Sequence, residues 1–513
     1  MSKKSSDIPP GWESVSLADV TIHSTEKAEP SAFRDSQYLG LEHIESGTNR
    51  MSGTGDAGAV KSTKAVFRSG DVLYGKLRPY LNKVCQPDFD GVCSTDILVF
   101  PQSDELDNRY LLHFLSRPST SEYATQNASG INLPRISAKV LGEIEFPLAP
   151  LAEQRRIVAK IEALQARTRQ AREALAEVGP LLEQFRQSLL AAAFRGDLTA
   201  DWRAANPNVE PATELLNRIR QERQQKWEEA EIAKYAAKDQ QPPKDWKDKY
   251  KEPEPLDELA FVDLPELPDG WGWTNMDSVS YRVSVGHVGP TSKFYCDADV
   301  GIPFLRSQNV RPRQLSTDGL NYITPEFHET LQKSQLHAGD ILVVRVGANR
   351  GDTCRVPDGY KELNCANIVF GQPCGELSPF IELFCQSRLG QTLLLGMSTG
   401  SAQGVINTKS VAELPIPVCS YEEQGEIIAT IDAALDGVNE IVRAVSESES
   451  DLTQLDQSIL AQAFRGELVP QDPNDEPASV LLERIRQQRE ALSVGEKNGK
   501  KTTRRRGKKK AEA

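Results

Sequence analysis

Residues Glu153–Gly196 read EQRRIVAKIEALQARTRQAREALAEVGPLLEQFRQSLLAAAFRG, and residues Glu423–Gly466 read EQGEIIATIDAALDGVNEIVRAVSESESDLTQLDQSILAQAFRG. The two stretches lie 270 positions apart and share their first two and last four residues. Steps of four and three from Ile157 give Ile157, Ile161, Leu164, Thr168, Ala171, Leu175, Val178, Leu182, Phe185, Leu189 and Ala192, ten of eleven apolar. Adding 270 gives Ile427, Ile431, Ala434, Val438, Ile441, Val445, Ser448, Leu452, Leu455, Ile459 and Gln462, nine of eleven apolar. A 3.5-residue period held this long predicts two helices packed along a narrow seam. An amphipathic helix on a globular domain would show a wider stripe. Gly179-Pro180 predicts a bend and not a break, because the heptad phase survives it.

The likeness extends outward from these stretches. At the same offset Ile136 matches Ile406, Lys139 matches Lys409, Glu143 matches Glu413 and Pro147 matches Pro417. Downstream, Pro211-Ala212, Leu215-Leu216 and Arg218-Ile219-Arg220 match Pro477-Ala478, Leu481-Leu482 and Arg484-Ile485-Arg486 at an offset of 266. Upstream the offset drifts: Gly11-Trp12 matches Gly270-Trp271 at 259, and Gly70-Asp71 matches Gly339-Asp340 at 269. Each half is therefore a variable block followed by a near-constant one, and the period is too long for a solenoid.

Connectivity predicts antiparallel pairing, with the variable blocks at opposite ends of a rod. The 35 steps from Ile157 to Ala192 make that rod ~53 Å long, with a pseudo-two-fold axis near Leu175 and Val445. The expected division is a variable block at 10–150, the first seam helix at 151–200 and a charged helix and linker at 201–267. A second variable block at 268–418, the second seam helix at 419–470, a C-terminal helix at 471–493 and a disordered basic tail at 494–513 follow. Gly70 to Tyr74, Gly339 to Val344 and Ile97 to Phe100 read as strands, and Tyr110 to Leu115 and Ile381 to Leu395 as helices. The fold class is thus α/β plus all-α: two mixed α/β blocks separated by an antiparallel two-helix coiled coil. Glu214 to Lys238 reads as a charged helix, and Gln240 to Pro255 as a flexible connection.

Of the 513 residues, 39% are apolar and 26% charged. No run of 18 apolar residues offers a membrane span, and the start of the chain has no apolar core of a signal peptide. A cytoplasmic protein is expected. The eight cysteines contain no Cys-x-x-Cys pair, which disfavours zinc and redox sites and suits buried thiols. The net charge is −13; the tail from Val494 carries +7, leaving −20 for the rest. That balance opposes nonspecific coating of nucleic acid but leaves room for local cationic patches.

Catalytic signatures are missing. Gly53 to Gly58 has the glycine spacing of a dinucleotide loop without its flanking strand and helix. The six histidines are scattered, and no metal-ligand spacing, nucleophile elbow or methyltransferase-type tetrapeptide occurs. Local cations stand out instead. Lys61, Lys64, Arg68, Lys76, Arg78 and Lys83 fall within 23 residues that hold one acid, Asp71. In the second block Arg306, Arg311 and Arg313 form one cluster, and Arg345, Arg350 and Arg355 another. Arginine on a loop can read a guanine edge or hold a phosphate; a solvated surface is the plain alternative. Lys61, Lys64, Arg68, Lys76, Arg78, Arg306, Arg311, Arg313, Arg345 and Arg350 are the candidate DNA contacts.

Two variable blocks alternating with two near-identical helical blocks resemble the specificity subunit of type I restriction–modification systems. The resemblance is carried by Pro10-Gly11-Trp12 and Asp269-Gly270-Trp271, by the two Gly-Asp strands, by Pro150-Leu151-Ala152-Glu153-Gln154 and Tyr421-Glu422-Glu423-Gln424, and by the two Ala-Phe-Arg-Gly ends. It covers about 10–490; the insertion 221–262 and the basic tail depart from it. The resemblance implies that each variable block is a target-recognition domain reading one half of a split double-stranded DNA site, with the helices as the ruler between halves. It implies two methylation subunits around the helices and a motor/nuclease subunit beyond them. It also implies a non-catalytic chain that binds no cofactor, with S-adenosylmethionine, ATP and Mg on the partners. Two rivals stay open: a coiled-coil scaffold whose end domains bind other ligands, and an enzyme with an unrecognised site.

Overall fold

The computed structural model describes residues 8–29, 36–258, 261, 264–397 and 404–489; the basic tail lies outside the described residues. The chain divides into two compact units. The first takes 1–177 and 444–513, the second 178–443. Each unit therefore combines one variable block with the beginning of one long helix and the end of the other.

In the first unit the variable block is closed by its own ends. Glu13–Ser16 pairs antiparallel with Glu145–Leu148, Glu13 facing Leu148. Between them lie a five-stranded sheet, in the order Lys27–Ala28, Lys64–Phe67, Gly91–Cys93, Gln37–Leu39, Gly55–Asp56, and a three-stranded sheet around Val72–Gly75. The second unit repeats the closure: Gly272–Asn275 pairs antiparallel with Pro415–Val418. It holds a four-stranded sheet in the order Ser280–Val285, Ile368–Pro373, Ile341–Val344, Thr353–Arg355, and a three-stranded sheet around Ile302–Leu305. The content is mixed α/β. The Gly-Asp motif has one job in both units. Gly70 and Gly339 turn with φ of +84° and +88°, a region that favours glycine. Asp71 and Asp340 then accept main-chain N–H bonds from Arg68 at 2.8 Å and His337 at 2.9 Å.

The first long helix is Leu151–Ala176, followed by Val178–Phe194. The division falls at Glu177, whose backbone stays right-handed helical. Pro180 has no N–H to bond one turn back, which explains the interruption at this point. The second long helix is continuous over Tyr421–Ala463. In the first unit Ile157 and Ile161 share one buried cluster with Ile459, Leu460, Ala463 and Phe464, and Leu164 packs against it. Farther along, Thr168 donates to Asp456 at 2.8 Å and Arg172 pairs with Asp456 at 2.7 Å. The partner's number falls as the first helix advances, so the segments run antiparallel there. In the second unit Leu190, Ala193 and Phe194 share a cluster with Ile427 and Ile431, with Leu189 against it. Leu175, Leu182, Val438, Val445 and Leu452 are half-buried. Phe185 and Leu455, expected inside the seam, each keep 48% of their surface exposed. A helix segment covered along a single narrow line leaves the sides of large residues open.

The connection after Ala212–Ala236 corrects the flexible reading of Gln240 to Pro255. Asp239 turns the chain with φ +53°, and the returning segment lies along the helix. Trp246 stacks on Trp227 at 5.8 Å between ring centroids, Tyr250 meets Trp227 at 5.4 Å, and Lys247 pairs with Glu228 at 2.7 Å. Proline, lysine and aspartate dominate the composition, yet three aromatic residues decide the packing.

Candidate nucleic-acid interface

The recurring motifs meet at one kind of joint, built once in each unit. In the first, the Trp12 indole N–H donates to Glu153 Oε2 at 2.9 Å. In the second, Trp271 donates to Glu423 Oε2 at 2.9 Å. The next residue ties the helix start to the chain before it: the Gln154 side-chain amide donates to Ala149 O and that of Gln424 to Cys419 O, both at 2.8 Å. Glu423 also receives Thr199 Oγ1 at 2.7 Å and the guanidinium of Arg203. Among the described residues no arginine pairs with Glu153, and burial holds its carboxyl above the usual range.

The Ala-Phe-Arg-Gly stretch is the opposite wall of the joint. Gly196 and Gly466 end their helices with φ of +77° and +74°, and the next residues bond back to Ala192 O and Gln462 O, each at 2.9 Å. This is a glycine-dependent helix stop. A Cβ at Gly196 would lie 2.2 Å from Pro268 Cγ, and one at Gly466 2.3 Å from Pro9 Cγ. Each variable block thus enters across a helix-end glycine and leaves into a helix start that binds its tryptophan.

The expected cations sit on the blocks in different states. Arg68 forks onto Glu26 at 3.0 and 3.2 Å, and Arg313 pairs with Asp432 at 2.8 Å. Arg311 donates to its own neighbour, Val310 O, at 2.9 Å; Arg350 donates to Gly404 O at 2.6 Å; Arg306 reaches Gln308 at 3.3 Å. These groups already have partners within the chain, although Arg68 and Arg313 remain exposed. Lys61, Lys64, Lys76, Arg78 and Arg345 form no ion pair among the described residues. Lys64 Nζ stands 5.5 Å from the Tyr38 ring centroid, and Lys61 is exposed on the preceding loop. Lys76 and Arg78 occupy the loop after Val72–Gly75. Arg345 and Arg350 occupy the matching loop after Ile341–Val344. The hairpin bearing Arg311 and Arg313 touches the strand that ends this second loop, through Arg313 N to Thr353 O at 3.3 Å. The structure brings the two arginine clusters of the second block together in this way. In the first block the strand group at 61–68 and the loop group at 76–78 belong to separate sheets.

Among the described residues no cluster of His, Cys, Asp or Glu could hold a metal ion, and no helix is long and apolar enough to cross a membrane. Burial pushes the thiols of Cys85, Cys93, Cys354, Cys374 and Cys385 up to about 12.

The type I restriction modification DNA specificity domain matches residues 9–178. The EcoDI specificity subunit of Escherichia coli is 36% identical over 231 residues, covering 43% of this chain and 51% of its own length. The chain therefore spans about half of that relative. The EcoBI specificity subunit of Escherichia coli is 25% identical over 429 residues, covering 80% of this chain and 77% of its own. Among solved structures, a chain from a type I R-M system studied for its complex assembly and conformational transition superposes with a TM-score of 0.64 at 23% identity. It covers 90% of this chain and 99% of that one. The HsdS subunit from Thermoanaerobacter tengcongensis has the same fold at a TM-score of 0.50 and 24% identity, with 90% and 98% covered.

The chain is similar to specificity subunits of type I restriction enzymes, and residues 9–178 match their DNA specificity domain.

In the sequence the joint was only half legible. Gly-Trp and Glu-Gln recur in the sequence, but 141 residues separate Trp12 from Glu153 and 152 separate Trp271 from Glu423. Their identical order in both halves was the signal that could have paired them.

Proposed function

We infer that this chain is the DNA-reading subunit of a type I restriction–modification complex, and not its catalyst. The observation that carries the reading is the twofold construction of one joint: tryptophan on a helix-start glutamate, proline on a helix-end glycine, in units assembled from the same parts. A chain that presents two different variable blocks on mounts of one plan is suited to read two different half-sites. The antiparallel contacts in the first unit, and the packing of Ala193 and Phe194 with Ile427 and Ile431 in the second, support a single paired-helix spacer with a pseudo-two-fold axis, which would fix the gap between the halves. Specificity would then depend on gap length as well as on sequence.

On this reading the ligand is double-stranded DNA, and Lys61, Lys64, Lys76, Arg78 and Arg345, which have no ion pair among the described residues, are the cations that would face it. Arg68, Arg306, Arg311, Arg313 and Arg350 would join only by exchanging their present partners. Two methylation subunits would dock on the exposed apolar sides of the helices, where Leu181 is 60% and Phe185 48% exposed. A motor/nuclease subunit would bind that core. S-adenosylmethionine, ATP and Mg would belong to those subunits, and the complex would work in the cytoplasm.

The test is long-read methylation profiling of cells carrying the chain with its methylation subunit. A split motif with a constant gap is expected. A continuous motif, or the same motif without this chain, would refute the reading.

A further inference from the structure

Two loops of the first unit are stitched into one body. The first leaves the strand Val72–Gly75 and runs over 76–83; the second is the hairpin 129–136. Ile136 N donates to Lys76 O at 3.0 Å, Arg78 N to Pro134 O at 2.7 Å, and Ser129 and Arg135 exchange bonds at 2.8 and 2.9 Å. A bridge joins Leu77 to Arg135. Arg135 forks onto Asp96 at 3.0 and 3.3 Å, so the acid at the base of the body is neutralised. Ser121 Oγ fixes Pro79 O from the neighbouring helix at 3.1 Å.

This firmly held base presents an unusual tip. Ile131 is 99% exposed, Tyr80 53% and Leu133 46%. Asn132 is exposed between the two apolar hairpin residues, and Arg78 is exposed beside them with φ +52° and no ion pair among the described residues. Single exposed apolar residues are common on proteins. Three of them on one loop body that is braced at its root and also carries an unpaired arginine make a candidate contact surface.

The second unit repeats one of these stitches, with a different loop sequence. Ile406 N donates to Arg345 O at 3.1 Å, as Ile136 does to Lys76. There the loop after the strand reads Arg345-Val346-Gly347-Ala348-Asn349-Arg350, against Lys76-Leu77-Arg78-Pro79-Tyr80-Leu81 in the first. A shared scaffold with exchanged tips is what two readers of different sequences require. Base reading needs a groove-filling tip, apolar or hydrogen-bonding, next to a cation on the backbone. The unpaired cations match a polyanion and oppose a basic partner.

We propose that the joined loops 76–83 and 129–136 form the base-reading edge for one half-site, with Ile131 entering a DNA groove and Arg78 holding the adjacent phosphate. Ile131 is a specificity residue on this assignment, which rests on the DNA-reading function above. An apolar tip can touch a thymine methyl or wedge at a base step.

The test uses the chain assembled with its methylation subunits and two labelled duplexes, the cognate site and one with the first half-site scrambled. Ile131→Ser is expected to weaken the cognate duplex roughly tenfold and leave the scrambled one unchanged. Arg78→Ala is expected to weaken both similarly and to lower the log–log salt slope by about 1. Because Ile131 is almost wholly exposed, its replacement does not threaten the fold. Cognate binding by Ile131→Ser equal to that of the unaltered complex overturns the proposal. So does a sizing profile in which Ile131→Ser sheds its methylation subunits, which would make the tip a protein contact. Failure of the unaltered complex to distinguish the two duplexes overturns the DNA-reading assignment itself.

Discussion

Asp340 follows the Gly339 turn and is only 3% exposed. Burial pushes its carboxyl up to about 6, against hydrogen bonds from Gln372 Nε2 at 3.0 Å and from the His337 main chain. The folded state therefore favours the protonated acid. Its contribution to stability is complete below the ordinary value of 3.8 and is lost as pH rises through about 6, following proton linkage. Asp340→Asn should remove that loss, because the amide oxygen can still accept and carries no charge. Melting temperatures recorded from pH 4 to pH 8 should fall less steeply for Asp340→Asn than for the unaltered chain; equal slopes would refute the assignment. At the same scale, charge and its availability part company. Arg68 and Glu26 are 42 residues apart, and Arg313 and Asp432 are 119 apart. An arginine's partner can lie anywhere in the chain, so sequence clusters record charge but not its availability.

At the scale of elements, the long helices were the most legible part of the chain. Heptad spacing exposes which residues share a stripe, and glycine at a helix end announces the stop. What spacing cannot say is how much of the stripe another element covers. Ile157, Ile161, Ile427, Ile431 and Ile459 are buried, each joined by a variable block or a terminal helix segment, whereas Phe185 and Leu455 are half open. The proposed spacer gives a direct prediction. Seven residues inserted into each long helix, after Leu175 and after Val445, add ~10.5 Å. That length corresponds to about three base pairs of DNA. Methylation profiling should show the gap lengthened with both half-sites intact. A motif that keeps its original gap would remove the ruler role from the helices.

At the scale of the molecule, the division into two units cuts across the chain order. The first variable block shares a unit with the C-terminal segment: Arg484 pairs with Glu105 at 2.8 Å, Arg156 with Asp475 at 2.6 Å, and Ala478 N bonds Gly11 O at 2.8 Å. In the second unit Ala212 N bonds Gly270 O at 2.8 Å, so the segment after each helix end clamps a variable block. Each block is thus a closed module between its first and last strands. Exchange of residues 10–150 for the corresponding block of a type I specificity subunit should change one half of the methylated motif and spare the other. Alteration of both halves would mean that the blocks read DNA jointly.

By itself the sequence determined the repeated plan, the heptad stripe, the glycine stops and the absence of familiar catalytic motifs, because each is written in residues close together or at a constant offset. Only the tertiary structure decided which helix end receives which variable block, which arginines are already paired, and that loops 76–83 and 129–136 form one body. Those outcomes depend on contacts between residues tens to hundreds of positions apart, whose energies are set by burial and geometry and leave no local pattern in the chain.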